Sequence, residues 1–175
     1  MIIDKKKGIL FWVTGLSGAG KTSISNKIYH RINKRYGKTF YINGDEMRKI
    51  FDLKSYDNKD RKNGAKKYAK LFKKITDQNI NVLFAGMALF DEVRLWNKVN
   101  VKNYVEIFIK ANLKKIINKK YTKIYKKKTK IVGVDIKPEF PKKPDIIINN
   151  NFDKSIEKLS NVLILKINKK ELWIF

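Results

Sequence analysis

The chain has 175 residues, enough for one well-buried core and short for two, and it carries no cysteine, which excludes disulfides and cysteine-ligated metal sites. Its formal charge of +25 points first to nucleic acid or an anionic membrane, but 36 of the 41 basic residues are lysines scattered along the chain, and five arginines are few for bidentate readout of nucleic acid. No stretch approaches the ~20 apolar residues of a membrane span, so the expectation is one soluble, cytoplasmic domain over residues 1–175 whose positive field attracts small anionic substrates, with no membrane partner and nucleic acid disfavoured.

The first element predicted is a strand, Ile9 to Val13, followed by GLSGAGKT at residues 15–22 and a helix from Ser23 to Tyr36 with Ile24, Ile28 and Ile32 on one face. Gly15, Gly20, Lys21 and Thr22 satisfy GxxxxGK[ST] in the strand, loop, helix context that a P-loop requires. The glycines let backbone N–H groups turn inward around a phosphate, and the helix N-terminus adds partial positive charge. Lys21 is expected to reach the β- and γ-phosphates of ATP, and the Thr22 hydroxyl to ligate Mg²⁺. The remaining nucleotide contacts are expected from Ser17, Gly18, Ala19 and Ser23. His30, the single histidine, is read as a residue of the first helix without a catalytic role.

A second strand is predicted over residues 39–43, ending at Gly44-Asp45-Glu46, with a short helix over 45–51 and a longer one over 58–77. Further strands are predicted over 81–88, 104–110 and 145–149, with helices between them, one carrying Val93, Trp96 and Val99 and one over 112–120. Alternating strands and helices imply a three-layer α/β fold of the P-loop NTPase type: a five-stranded, mainly parallel sheet with helices on both faces. Ligands of such a sheet gather beyond the carboxyl ends of its strands, so Asp45 faces the phosphates and is expected to act on an acceptor hydroxyl or to hold Mg²⁺ through water. Its alternative role is to cap the helix that starts there. Residues 121–144, basic and then proline-bearing, read as a lid that brings cations, Lys123 among them, over the nucleotide. A helix and a tail are predicted after residue 150.

These stretches resemble adenylylsulfate kinases. GLSGAGKT, NGDEMR (43–48), YDNKDR (56–61), KIYKK (123–127), GVD (133–135) and PKKPD (141–145) match that family's GLSGSGKT, DGDNxR, FSxxDR, GLYKK, GID and PxxPE in order, over roughly residues 8–160. The resemblance implies transfer of the γ-phosphoryl group of MgATP to the ribose 3′-hydroxyl of a nucleotide whose 5′ end carries an anhydride, and a homodimer. It places the acceptor beside Asn43, Arg48, Tyr56, Arg61, Lys66, Met87, Phe90, Asp91 and Ile131.

The departures fall on the acceptor side. Asn43 replaces the first acid of DGD, Lys66-Lys67 an arginine pair, Asp91 an arginine, and Ile131 the phenylalanine that stacks on the acceptor's adenine. Loss of an aromatic platform weakens stacking by about 1–3 kcal/mol, and Asp for Arg beside an anion reverses an attraction. This profile is similar to the capsule-locus branch of the family, which phosphorylates cytidine diphosphoramidate in capsular polysaccharide phosphoramidate biosynthesis. A pyrimidine needs less stacking area, and a phosphoramidate can donate hydrogen bonds. The alternatives are an adenylylsulfate kinase of sulfate activation, making 3′-phosphoadenylylsulfate, and an ATP-switched nucleic-acid-binding P-loop protein.

Overall fold

A computed structural model describes residues 4, 6–118 and 130–170. Five strands, β1 (Ile9–Thr14), β2 (Thr39–Asn43), β3 (Asn81–Ala85), β4 (Asn103–Lys110) and β5 (Ile146–Asn149), form one sheet in the order β2-β3-β1-β4-β5. Every pairing in it is parallel. The helices are α1 (Lys21–Tyr36), α2 (Gly44–Ile50), α3 (Asn58–Asp77), α4 (Asp91–Asn100), α5 (Leu113–Asn118) and α6 (Ile156–Lys169).

Side chains alternate across a strand, and β1 shows the consequence. Ile9, Phe11 and Val13 join the core under α1 and α6, whereas Leu10 and Trp12 join the core under α2, α3 and α4. Because both faces are covered, β1 is buried throughout and its sequence is continuously apolar, as central parallel strands are. Ile24, Ile28 and Ile32 of α1 are all fully buried, as their four-residue spacing predicts.

Two expectations need correction. β3 ends at Ala85 rather than 88, because Gly86 turns its N–H to the Val13 carbonyl (3.0 Å) and Met87 receives the Thr14 hydroxyl on its own carbonyl (3.1 Å). A Cβ at Gly86 would lie 2.1 Å from the Phe84 ring, so glycine is required for this exit. In α4, Val93 is buried but Val99 is 83% exposed, and the inward face instead carries Arg94 and Asn97. Within the stretch expected as a lid, Ile131 and Val132 are buried, and the N–H groups of Val134, Asp135 and Ile136 all converge on the Ile131 carbonyl. The rest of the expected lid, 121–129, with Lys123, lies outside the described residues.

Candidate active site

A cavity of about 490 Å³ opens at the carboxyl ends of β1, β2 and β3, where ligands of a parallel sheet collect. On one side stands the glycine loop. Gly15, Gly18 and Gly20 all have positive φ, and at Gly15 a Cβ would also fall 2.5 Å from the Ile109 carbonyl oxygen. Ser17, Gly18, Gly20, Lys21, Thr22 and Ser23 line the cavity, while Gly15 and Ala19 form the buried back of the loop and are not among its lining residues. The Ala19 carbonyl receives the side-chain amide of Asn150 (2.9 Å), a residue just past β5 that sequence reasoning did not single out.

Lys21 turns its ammonium back to the Leu16 carbonyl (2.8 Å). Burial lowers its pKa to about 8, with the Asp45 carboxylate acting in the opposite direction. Thr22, at the start of α1, is exposed and lines the cavity.

Asp45 lines the same space from the N-terminus of α2. It does not cap that helix. Asn43 does, accepting the N–H groups of Asp45 (3.0 Å) and Glu46 (3.1 Å), while the Glu46 carboxylate accepts the Asn43 N–H (2.9 Å) in a complete capping box. The asparagine that replaces the first acid of the motif therefore orients Asp45, and its capping oxygen is already engaged. Burial, reinforced by Glu46, pushes the nearby Tyr41 phenol up to about 12.

On the other side stand Arg48, Tyr56 and Arg61. The guanidinium carbons of Arg48 and Arg61 lie 4.1 and 5.1 Å from the Tyr56 ring centroid. Arg48 donates to the carbonyls of Leu53 and Ser55, and Arg61 to those of Tyr56 (2.7 Å) and Lys130 (3.3 Å). Neither forms an ion pair among the described residues. Burial, then the adjoining Arg48, holds Arg61 below its ordinary pKa, so two uncompensated cations face this end of the cavity.

Met87, Phe90 and Ile131 also line the cavity, with Phe84 and Tyr68 as an aromatic floor not foreseen from sequence. Lys66 and Asp91 do not line it. The Lys66 ammonium pairs with Glu92, and the Asp91 carboxylate with Arg94, so the structure does not bring either to the site. In their place Lys137, Pro138 and Glu139, from the second half of the stretch expected as a lid, form a wall. Among the described residues no group of three or more His, Cys, Asp or Glu could hold a metal ion, and no described helix is long and apolar enough to cross a membrane.

The adenylylsulphate kinase family model matches residues 7–149. Cytidine diphosphoramidate kinase of Campylobacter jejuni is 33% identical over 168 residues, 93% of this chain and 98% of that protein. A probable adenylyl-sulfate kinase of Halalkalibacterium halodurans is 27% identical, over 95% of this chain and 84% of that one. Among solved structures, the APS kinase of Mycobacterium tuberculosis in complex with AMPPNP and APS superposes with a TM-score of 0.80 at 22% identity, over 93% of this chain and 98% of that one.

Proposed function

The chain belongs to the adenylylsulfate kinase family and is an ATP-using phosphotransferase, and from that premise we propose that its acceptor is cytidine diphosphoramidate, phosphorylated on the ribose 3′-hydroxyl in capsular polysaccharide phosphoramidate biosynthesis. The observation that carries this reading is one cavity in which the P-loop lysine and Asp45 stand opposite Arg48, Tyr56 and Arg61, in a chain 33% identical to a cytidine diphosphoramidate kinase.

Lys21 balances negative charge on the β- and γ-phosphates, and the loop N–H groups fix their position. Asp45 accepts the proton of the acceptor's 3′-hydroxyl as the 3′-oxygen–phosphorus bond forms and the bond from the γ-phosphorus to the β,γ-bridging oxygen breaks, releasing ADP. Arg48 and Arg61 hold the acceptor's anionic 5′ end, with Tyr56 beside them. The exposed Thr22 hydroxyl and the Asp45 carboxylate are hard oxygen donors of the kind Mg²⁺ takes, Asp45 through water. Mg²⁺ held there would supply charge neutralisation for the transferring phosphoryl group. Ile131 at the cavity wall offers apolar contact without an aromatic face, which suits a pyrimidine better than adenine. The proposal covers one cytoplasmic kinase domain over residues 1–175 and, by the family resemblance, a homodimer.

The test is ADP release with MgATP and, in parallel, cytidine diphosphoramidate, CDP or adenylylsulfate, with the phosphate position read by phosphorus NMR. A higher kcat/KM for the cytidine compound, with a new 3′-phosphate, is expected. Preference for adenylylsulfate would assign the chain to sulfate activation instead. In the same assay Lys21→Ala is expected to remove nearly all turnover, and Asp45→Ala to lower kcat more than it raises the ATP KM.

A further inference from the structure

We propose that Arg94, which does not line the cavity, is a positioning residue that sets the acceptor wall formed by Lys137, Pro138 and Glu139. Arg94 lies on the inward face of α4 and is 5% exposed. From there its guanidinium reaches β4, the 137–139 segment and the first turn of its own helix through Nε and Nη2, while Nη1 has no hydrogen-bond partner among the described residues. Nε pairs with the Glu106 carboxylate on β4 at 2.9 Å. Nη2 donates to the Asp91 carboxylate one turn earlier and to the Glu139 carbonyl at 2.7 Å.

A second bond runs between the same segments. The Glu139 carboxylate accepts the Asp91 N–H at 2.6 Å, which satisfies one of the free donors at the start of α4, where Phe90 supplies no capping side chain. The cavity wall is thus tied to α4 through both its backbone and its side chain, and Arg94 ties α4 in turn to the central sheet.

Glu106 holds this arrangement from below. It is 8% exposed, and its N–H donates to Asp145 at 2.8 Å. Burial pushes its carboxyl up to about 7, with Arg94 pulling down and Asp145 pushing up. A buried guanidinium is costly unless its charge is met, and here Nε and Nη2 meet the Glu106 and Asp91 carboxylates and the Glu139 carbonyl, linking α4 to β4 and to the wall. A lysine can keep one of these contacts but lacks the planar fork needed for all of them.

The inference rests on the proposed function only in taking this wall as part of the acceptor's side. It is tested on the full-length protein with Arg94→Lys and with the double variant Arg94→Met, Glu106→Leu, which leaves neither of that pair's charges buried alone. Steady-state kinetics with ATP and the acceptor varied separately are paired with hydrogen exchange at the Asp91 amide.

Both variants are expected to raise the acceptor KM about tenfold, leave the ATP KM within about twofold, and speed exchange at the Asp91 amide about tenfold. The proposal is overturned if a folded variant leaves the acceptor KM within about twofold, if both KM values rise together, or if Asp91 exchange is unchanged. If wild-type protein phosphorylates neither cytidine diphosphoramidate nor adenylylsulfate, the substrate reading fails while the exchange experiment still decides the anchor.

Discussion

Lys21 carries a pH prediction. In the proposed reaction its ammonium faces the phosphates, and burial lowers its pKa to about 8 in the free protein, with Asp45 opposing. The charged form is therefore present below pH 8 and is lost as pH rises through it. The profile of kcat/KM for ATP, which reports the free enzyme, is expected to fall about tenfold per pH unit above 8, and in Lys21→Ala that limb is expected to vanish. Lys21, Thr22 and Asp45 were legible in the sequence because the P-loop is a local pattern and Asp45 directly follows a strand end. Lys66 and Asp91 were misplaced for the opposite reason. Their partners, Glu92 and Arg94, decide where the side chains point, and no spacing rule says that a charged residue will satisfy its neighbour rather than a substrate.

At the level of elements, the glycine loop is held in place by β5 as well as by its own turn. Asn150 is 2% exposed, donates to the Ala19 carbonyl and accepts the Phe152 N–H at 3.0 Å. Asn150→Ala would leave that carbonyl buried without its partner, at a cost of about 1–3 kcal/mol. A lower melting temperature and an ATP KM raised at least severalfold are expected, with the acceptor KM less affected; an unchanged ATP KM would remove Asn150 from the nucleotide site. Its role was hidden because it follows an ordinary strand and meets its partner only in the folded chain. The strands and α1, α3 and α6 could be read from apolar runs and spacing. The inward face of α4 could not, since Val93 shares it with Arg94 and Asn97 while Leu95 and Val99 face outward.

The whole molecule carries +25, mostly on lysines, and its cavity is lined by Arg48 and Arg61, neither in an ion pair among the described residues. The two proposed substrates are both anionic, so the field acts on encounter more than on the chemical step. Raising ionic strength from about 20 to 200 mM shortens the Debye length to well under the size of the protein. A severalfold fall in kcat/KM for the acceptor is expected over that range, with kcat little changed; salt-independent kcat/KM would show that the charge plays no part in capture. The fold class was legible because alternation of strands and helices is a property of the full pattern, whereas the cavity wall at 137–139 was not, because it is built by contacts between distant segments.

The position of β1 in the sheet also bears on how the molecule is made. Leu10 of β1 pairs with Val82 and Ile9 with Asn103, so both neighbours of β1 are synthesised long after it. Pairings of this kind close large loops before they are rewarded, which makes folding slow for the size of the chain. The glycine loop hangs from the end of β1 and cannot take its final shape until β4 supplies the Ile109 backbone behind Gly15 and Asn150 arrives beyond β5. On the ribosome, the glycine motif therefore emerges well before it becomes able to bind its nucleotide.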